Sequence, residues 1–141
     1  MYESCLEKQA QIKKMFEFCQ TEESKYGKII ELGRTLPPID AAYKIPDNRV
    51  KGCQSTMYLH SKYQEGHVYF VAESDALISS GLAFLLVFVY SGQTPEAILK
   101  CPPTFLEELG ITASLTPNRA NGLYSLHLRM KQDTLKYLVG R

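Results

Sequence analysis

Thr56-Met57-Tyr58-Leu59-His60-Ser61-Lys62-Tyr63 and His67-Val68-Tyr69-Phe70-Val71-Ala72-Glu73 are two strand-like runs separated by Gln64-Glu65-Gly66. Met57 and Leu59 alternate with Tyr58 and His60, and Val68 and Phe70 alternate with Tyr69 and Val71. This period of two sends one set of side chains to each face of a pleated strand, as half-buried strands require. With a turn at the Gln-Glu-Gly segment, the pair predicts an antiparallel hairpin.

The sequence on either side of the hairpin is helical in character. Leu6, Ile12, Met15, Phe16 and Cys19 recur at roughly helical spacing, which predicts an amphipathic helix over about Leu6 to Cys19, with Cys19 in the core. Thr21 followed by Glu22 and Glu23 predicts a capped second helix ending near Gly33. Pro37, Pro38 and Pro46 remove backbone donors and fix φ, so Leu36 to Asn48 reads as an irregular ordered loop. After the hairpin, Ser74 reads as the N-cap of an apolar helix from Ala76 to about Ser91, with Asp75 in its first turn. Thr94-Pro95-Glu96 starts a short helix, Thr104-Phe105-Leu106-Glu107 matches a capping box, and Thr116-Pro117 opens a long helix to about Leu138. Gly122 lies inside that last helix and weakens it by up to about 1 kcal/mol relative to alanine, so close packing is expected there. The order helix, helix, strand, strand, helices predicts an α+β fold with a small antiparallel sheet packed against helices.

Composition narrows the function classes. The 141 residues hold 16 basic and 15 acidic side chains, a net charge of +1, and 45% hydrophobic residues. Such a chain fits one domain with a real core, 1–141, and offers no general attraction to nucleic acid. Met1 to Gln20 carries Glu3, Glu7, Lys8, Lys13, Lys14 and Glu17 and lacks the apolar core of a secretory signal. The apolar stretch Gly81 to Tyr90 is about half as long as the roughly 20 residues a membrane span needs, so a buried helix and no membrane association are expected. Cys5, Cys19, Cys53 and Cys101 form no CxxC pair, which removes the zinc-knuckle and thioredoxin-type motifs. Cytoplasmic residence and free thiols are the corresponding expectations.

Cys53 concentrates the candidate chemistry. It lies in Asn48-Arg49-Val50-Lys51-Gly52-Cys53-Gln54-Ser55, where two nearby cations favour a thiolate and Gly52 permits unusual backbone angles. The residues alone also accommodate a small buried hydrophobe at the start of a strand. A papain-like nucleophile would need a base from His60, His67 or His127, and none is placed beside Cys53 by spacing. A metal site has no local ligand pair to support it. Arg119, three residues past the Thr116 cap, opposes the helix dipole; an anionic partner such as Asp75 or Asp40 is one reading, and a solvated arginine is the other.

The ordered motifs go further. Glu31-Leu32-Gly33-Arg34 with Leu36-Pro37, Val50-Lys51-Gly52-Cys53-Gln54-Ser55, Ser74-Asp75-Ala76 with Gly81-Leu82, Tyr90, Thr94-Pro95, Ile98, Leu115-Thr116-Pro117-Asn118-Arg119 and Gly122-Leu123 together resemble the SufE family of sulfur acceptor proteins. The resemblance spans about Ile29 to Leu123. It implies an α+β fold similar to the IscU-type scaffold, and a sulfur-transfer accessory protein rather than a stand-alone enzyme. It implies further that Cys53 takes the acceptor position for persulfide sulfur from a SufS-type cysteine desulfurase, and that the sulfur passes on to a SufBCD-type cluster scaffold. The resemblance implies no cofactor or metal for this chain, the pyridoxal phosphate belonging to the desulfurase. Gly52, Gln54, Ser55, Asp75 and Arg119 match positions that support the acceptor loop and partner face, over about Asp47 to Ser55. The other readings are a cysteine-nucleophile hydrolase and an iron–sulfur or zinc-binding scaffold. Cys5, Cys19 and Cys101 lie outside the motifs and inherit no role.

Overall fold

The structure, a computed structural model, describes residues 2–140. Helices α1 (Glu3–Met15) and α2 (Glu22–Arg34) precede strands β1 (Met57–Gln64) and β2 (His67–Ser74), and five helices follow: α3 (Leu77–Tyr90), α4 (Pro95–Lys100), α5 (Phe105–Glu108), α6 (Ile111–Ser114) and α7 (Pro117–Val139). The fold is α+β, with one two-stranded antiparallel sheet. Its register runs from Met57 opposite Ser74 to Gln64 opposite His67. The turn is therefore the two residues Glu65-Gly66, both at positive φ (51° and 83°), the combination whose twist matches that of the flanking strands.

Period two decides which face is inside. Met57, Leu59, Val68, Phe70 and Ala72 are buried, and α3 packs on them with Ile78, Leu82, Leu85, Leu86 and Val89 in the same core. Each large aliphatic side chain fully buried there contributes about 1.5–3 kcal/mol. Helix α2 crosses α3 at backbone contact. A Cβ added at Gly33 would lie 2.5 Å from the Gly81 nitrogen, and one at Gly81 would lie 2.2 Å from the Ile29 carbonyl oxygen. No side chain fits between the two helices at that crossing.

Several local expectations are corrected. Helix α1 covers Glu3–Met15, and its inner face is Cys5, Gln9, Ile12 and, just beyond the helix, Phe16; Leu6 is 47% exposed. Cys19 lies past the helix and is only partly buried. Ser74 is the last residue of β2 rather than an N-cap, and Ala76 holds the cap position of α3. Thr104 forms no cap either, because its hydroxyl donates to Gln9 Oε1 (3.2 Å). The reciprocal capping box is at Thr21 and Ser24 instead. Thr94 and Thr116 do cap α4 and α7, accepting from the Ala97 and Arg119 amides.

The loop that leads to Cys53 is ordered by specific contacts. It contains 3₁₀ turns at Ala41–Tyr43 and Pro46–Asn48. The Tyr43 and His60 rings stack with centroids 3.6 Å apart, Glu73 accepts from the Ile39 amide (2.9 Å) and pairs with Lys44 (2.6 Å), and Asn48 Nδ2 donates to the Tyr43 carbonyl (2.8 Å). Among the described residues no helix is long and apolar enough to cross a membrane.

Candidate functional site

The hydrogen bond from the Val50 amide to the Met57 carbonyl (2.8 Å) closes a short loop with Cys53 near its middle. Val50 and Met57 are both buried, so the pinch is anchored in the core while the residues between them reach outward. Gly52 has φ +91°, and a Cβ there would lie 2.4 Å from Ser125 Oγ on α7. The position demands glycine for both reasons, since an L side chain is strained at such a φ. The exposed Gln54 makes no side-chain hydrogen bond among the described residues, whereas Ser55 Oγ donates to Ser79 Oγ (3.1 Å) and accepts from Ser74 Oγ (3.4 Å).

Cys53 turns onto α7. Its thiol donates a long hydrogen bond (3.6 Å) to the Gly122 carbonyl, and a Cβ at Gly122 would sit 3.6 Å from Sγ. The packing expected at Gly122 is thus packing of the thiol itself. Cys53, Ser55, Met57, Leu82, Leu123 and Leu126 line a cavity of about 330 Å³, with Asn118 and Arg119 on its wall. Burial pushes the Cys53 thiol up from its ordinary value. That corrects the expectation that Arg49 and Lys51 enrich the thiolate: both cations are exposed, where water screens them, and desolvation decides the direction. Cys53 in this conformation is a sheltered thiol.

No histidine lines this cavity. His60 stacks on Tyr43, the His67 ring bonds the Glu65 carbonyl, and His127 stacks on Tyr90 with its Nε2 buried and unpartnered. Among the described residues no three His, Cys, Asp or Glu side chains converge on a site for a metal ion. Cys5 and Cys101 lie elsewhere, both bonded by Gln9 Nε2 in the core, and all four cysteines are free.

The polar residues separate by what they touch. Asp75 Oδ1 accepts from the Thr56 amide (3.1 Å), at the exit of the Cys53 loop. Arg119 is exposed on the cavity wall, and its guanidinium makes neither a hydrogen bond nor an ion pair among the described residues; Asp75 and Asp40 are not its partners. The arginine that holds the loop is Arg129, which the sequence reading missed. Its guanidinium donates to the Asp47 carbonyl and to the Arg49 carbonyl (3.3 Å), while Nε pairs with Asp133 (2.9 Å), whose other oxygen accepts from Ser61 Oγ (2.9 Å). The only local signal for it is the Arg129–Asp133 spacing of four, which on a helix reads as an ordinary surface pair.

Fold and site together define a small α+β protein that shelters one cysteine on a pinned loop, with no imidazole beside it. The chain belongs to the SufE family: the family model described as "Fe-S metabolism associated domain" matches residues 10–134. It is 33% identical over 132 residues to a SufE-like protein of Synechocystis sp., covering 94% of this chain and 83% of that protein. It is 35% identical over 126 residues to the Arabidopsis thaliana "SufE-like protein 1, chloroplastic/mitochondrial", covering 89% of this chain but only 34% of that much longer protein. A Thermus thermophilus protein titled hypothetical, with a known solution structure, superposes with a TM-score of 0.76 at 27% identity, covering 94% of this chain and 96% of the other. Membership places the chain in sulfur transfer for iron–sulfur metabolism.

Proposed function

We propose that this protein accepts sulfane sulfur on Cys53 from a SufS-type, pyridoxal-phosphate-dependent cysteine desulfurase, stimulates that enzyme, and hands the sulfur to a SufBCD-type cluster scaffold. The observation that carries the reading is the partly buried Cys53 thiol, packed against Gly122 in an apolar cavity without an imidazole. A hydrolase needs a base beside its nucleophile; an acceptor needs an accessible thiolate, a partner and a shelter.

The transfer is a thiol exchange. The Cys53 thiolate attacks the outer sulfur of the desulfurase persulfide, the persulfide S–S bond breaks, and the desulfurase cysteine leaves as a thiolate. Cys53 is left as Cys53–S–SH once its terminal sulfur takes up a proton. The rate of such attack depends on thiolate fraction and access, and burial holds both low in the conformation described here. The resting loop therefore protects the thiol, and turning it out toward the partner restores its reactivity. Gly52, at positive φ beside Cys53, is the point where that turn is easiest.

Arg119 stands exposed beside the cavity with no internal partner among the described residues, which suits a contact made only with the desulfurase, and Asp75 steadies the loop exit through the Thr56 amide. Gln54 and Ser55 flank the thiol and belong to the same partner face. Cytoplasmic residence is part of the proposal and is supported by the four free thiols, although the name of the Arabidopsis relative places that protein in chloroplasts and mitochondria.

The test is desulfurase turnover of cysteine with and without this protein. Wild type should stimulate, Cys53→Ser should not, and Arg119→Ala should stimulate less while keeping its circular dichroism and melting temperature. Full stimulation by Cys53→Ser would remove the proposal.

A further inference from the structure

Cys5 stands in the first turn of α1, and Cys101 occupies the C-cap of α4. They are far apart in sequence, yet one side-chain nitrogen, Gln9 Nε2, reaches both sulfurs, and both cysteines are buried, at 0% and 2% exposure. Gln9, one turn after Cys5 and also buried, donates through Nε2 to Cys101 Sγ (3.3 Å), Cys5 Sγ (3.8 Å) and the Pro102 carbonyl (2.9 Å). Its Oε1 accepts from Thr104 Oγ1 and the Phe105 amide, each at 3.2 Å. The Tyr90 hydroxyl donates to the Cys101 carbonyl (2.7 Å). A glutamine with both ends used and a tyrosine on the adjoining carbonyl hold the two sulfurs around one amide nitrogen. Neither sulfur lines the Cys53 cavity.

We propose that Cys5 and Cys101 form an oxidative modification site, a dithiol that closes to an intrachain disulfide when a peroxide reaches it, and so ties α1 to the turn after α4. The peroxide first converts one thiol to a sulfenic acid and releases water. The second thiol attacks that sulfur, the S–S bond forms and a second water leaves. The two thiols lose two hydrogens in all, and the peroxide is reduced to two waters.

Burial and the neighbouring Cys101 thiol push the Cys5 thiol up to about 12, so the buried Cys5 thiol is nearly inert at neutral pH. Reaction proceeds through local opening of the first turn of α1, which holds Cys5; helix ends open at lower cost than the core they pack on. Once formed, the bond closes a long loop and constrains the unfolded chain accordingly.

The experiment uses the Cys19→Ser/Cys53→Ser variant, which leaves only this pair, treated with hydrogen peroxide and then denatured, alkylated and mapped without reduction. The expected result is a mass loss of two hydrogens on a linked Cys5–Cys101 peptide. The melting temperature should rise by about 5 °C or more, and dithiothreitol should reverse it. In the wild-type chain the same link should form. Recovery of both peptides separately alkylated, a sulfinic or sulfonic mass on either cysteine without a link, or in the wild type a link to Cys19 or Cys53 in its place, would each overturn the proposal.

Discussion

The Cys53 thiol rests 3.6 Å from the main-chain carbonyl of Gly122, on the bare surface that a glycine leaves in the second turn of α7. The loop is held at its base by the core residues Val50 and Met57, and its tip lies on the helix. The thiol is sheltered by how little stands at position 122.

Gly122 therefore sets the resting position of the thiol. Gly122→Ala adds a Cβ at ordinary van der Waals distance from Sγ and should stabilise the helix by up to about 1 kcal/mol. Gly122→Leu fills the space the sulfur occupies and should push the loop out. Alkylation of native Cys53 by iodoacetamide should be several-fold faster in the leucine variant and little changed in the alanine variant.

Arg129 should matter to the loop more than any residue within it. Arg129→Ala removes its bonds to the Asp47 and Arg49 carbonyls and strips Asp133 of its cation. The expected cost is about 2–3 kcal/mol, read by urea denaturation. Faster hydrogen exchange should appear across residues 47–55, while the exchange of α3 should change only as global stability does.

His127 gives the protein an acid-sensitive core. Burial first, and Lys131 second, lower it from the ordinary 6.5 to about 4, so the folded state holds the imidazole neutral. A base with a depressed folded value supports folding above its unfolded value, and that support is lost as the pH falls through the folded one. Stability should drop between pH 6.5 and 4, by up to about 3 kcal/mol from this group. His127→Phe keeps a ring against Tyr90, removes the unpartnered Nε2, and should flatten that part of the pH profile of the melting temperature.

Much of this architecture is written in local patterns. The alternation around Met57 and Phe70 and the Glu65-Gly66 turn carry the hairpin, and Thr94-Pro95 and Thr116-Pro117 start helices where expected. The ordered motifs single out Cys53 as the proposed acceptor. Less visible is anything that depends on main-chain acceptors, because a carbonyl has no sequence signature. Arg129 acts through the carbonyls of Asp47 and Arg49, some 80 positions away, and nothing near Arg129 announces them. The pairing of Cys5 with Cys101 through Gln9 is equally silent in the sequence, since α1 and α4 meet only in the folded core. The direction of the Cys53 shift escapes a sequence reading for a related reason: neighbouring cations are visible in a sequence, and burial is not.

The central claim is tested most directly by incubating the protein with a SufS-type desulfurase and cysteine, then trapping persulfides with an alkylating reagent and mapping them by mass spectrometry. One added sulfur on the peptide that holds Cys53, absent from the Cys53→Ser variant, is the predicted result. An added sulfur that persists in Cys53→Ser on the peptide of Cys5, Cys19 or Cys101, or a wild-type Cys53 that stays unmodified while the desulfurase carries its own persulfide, would contradict it.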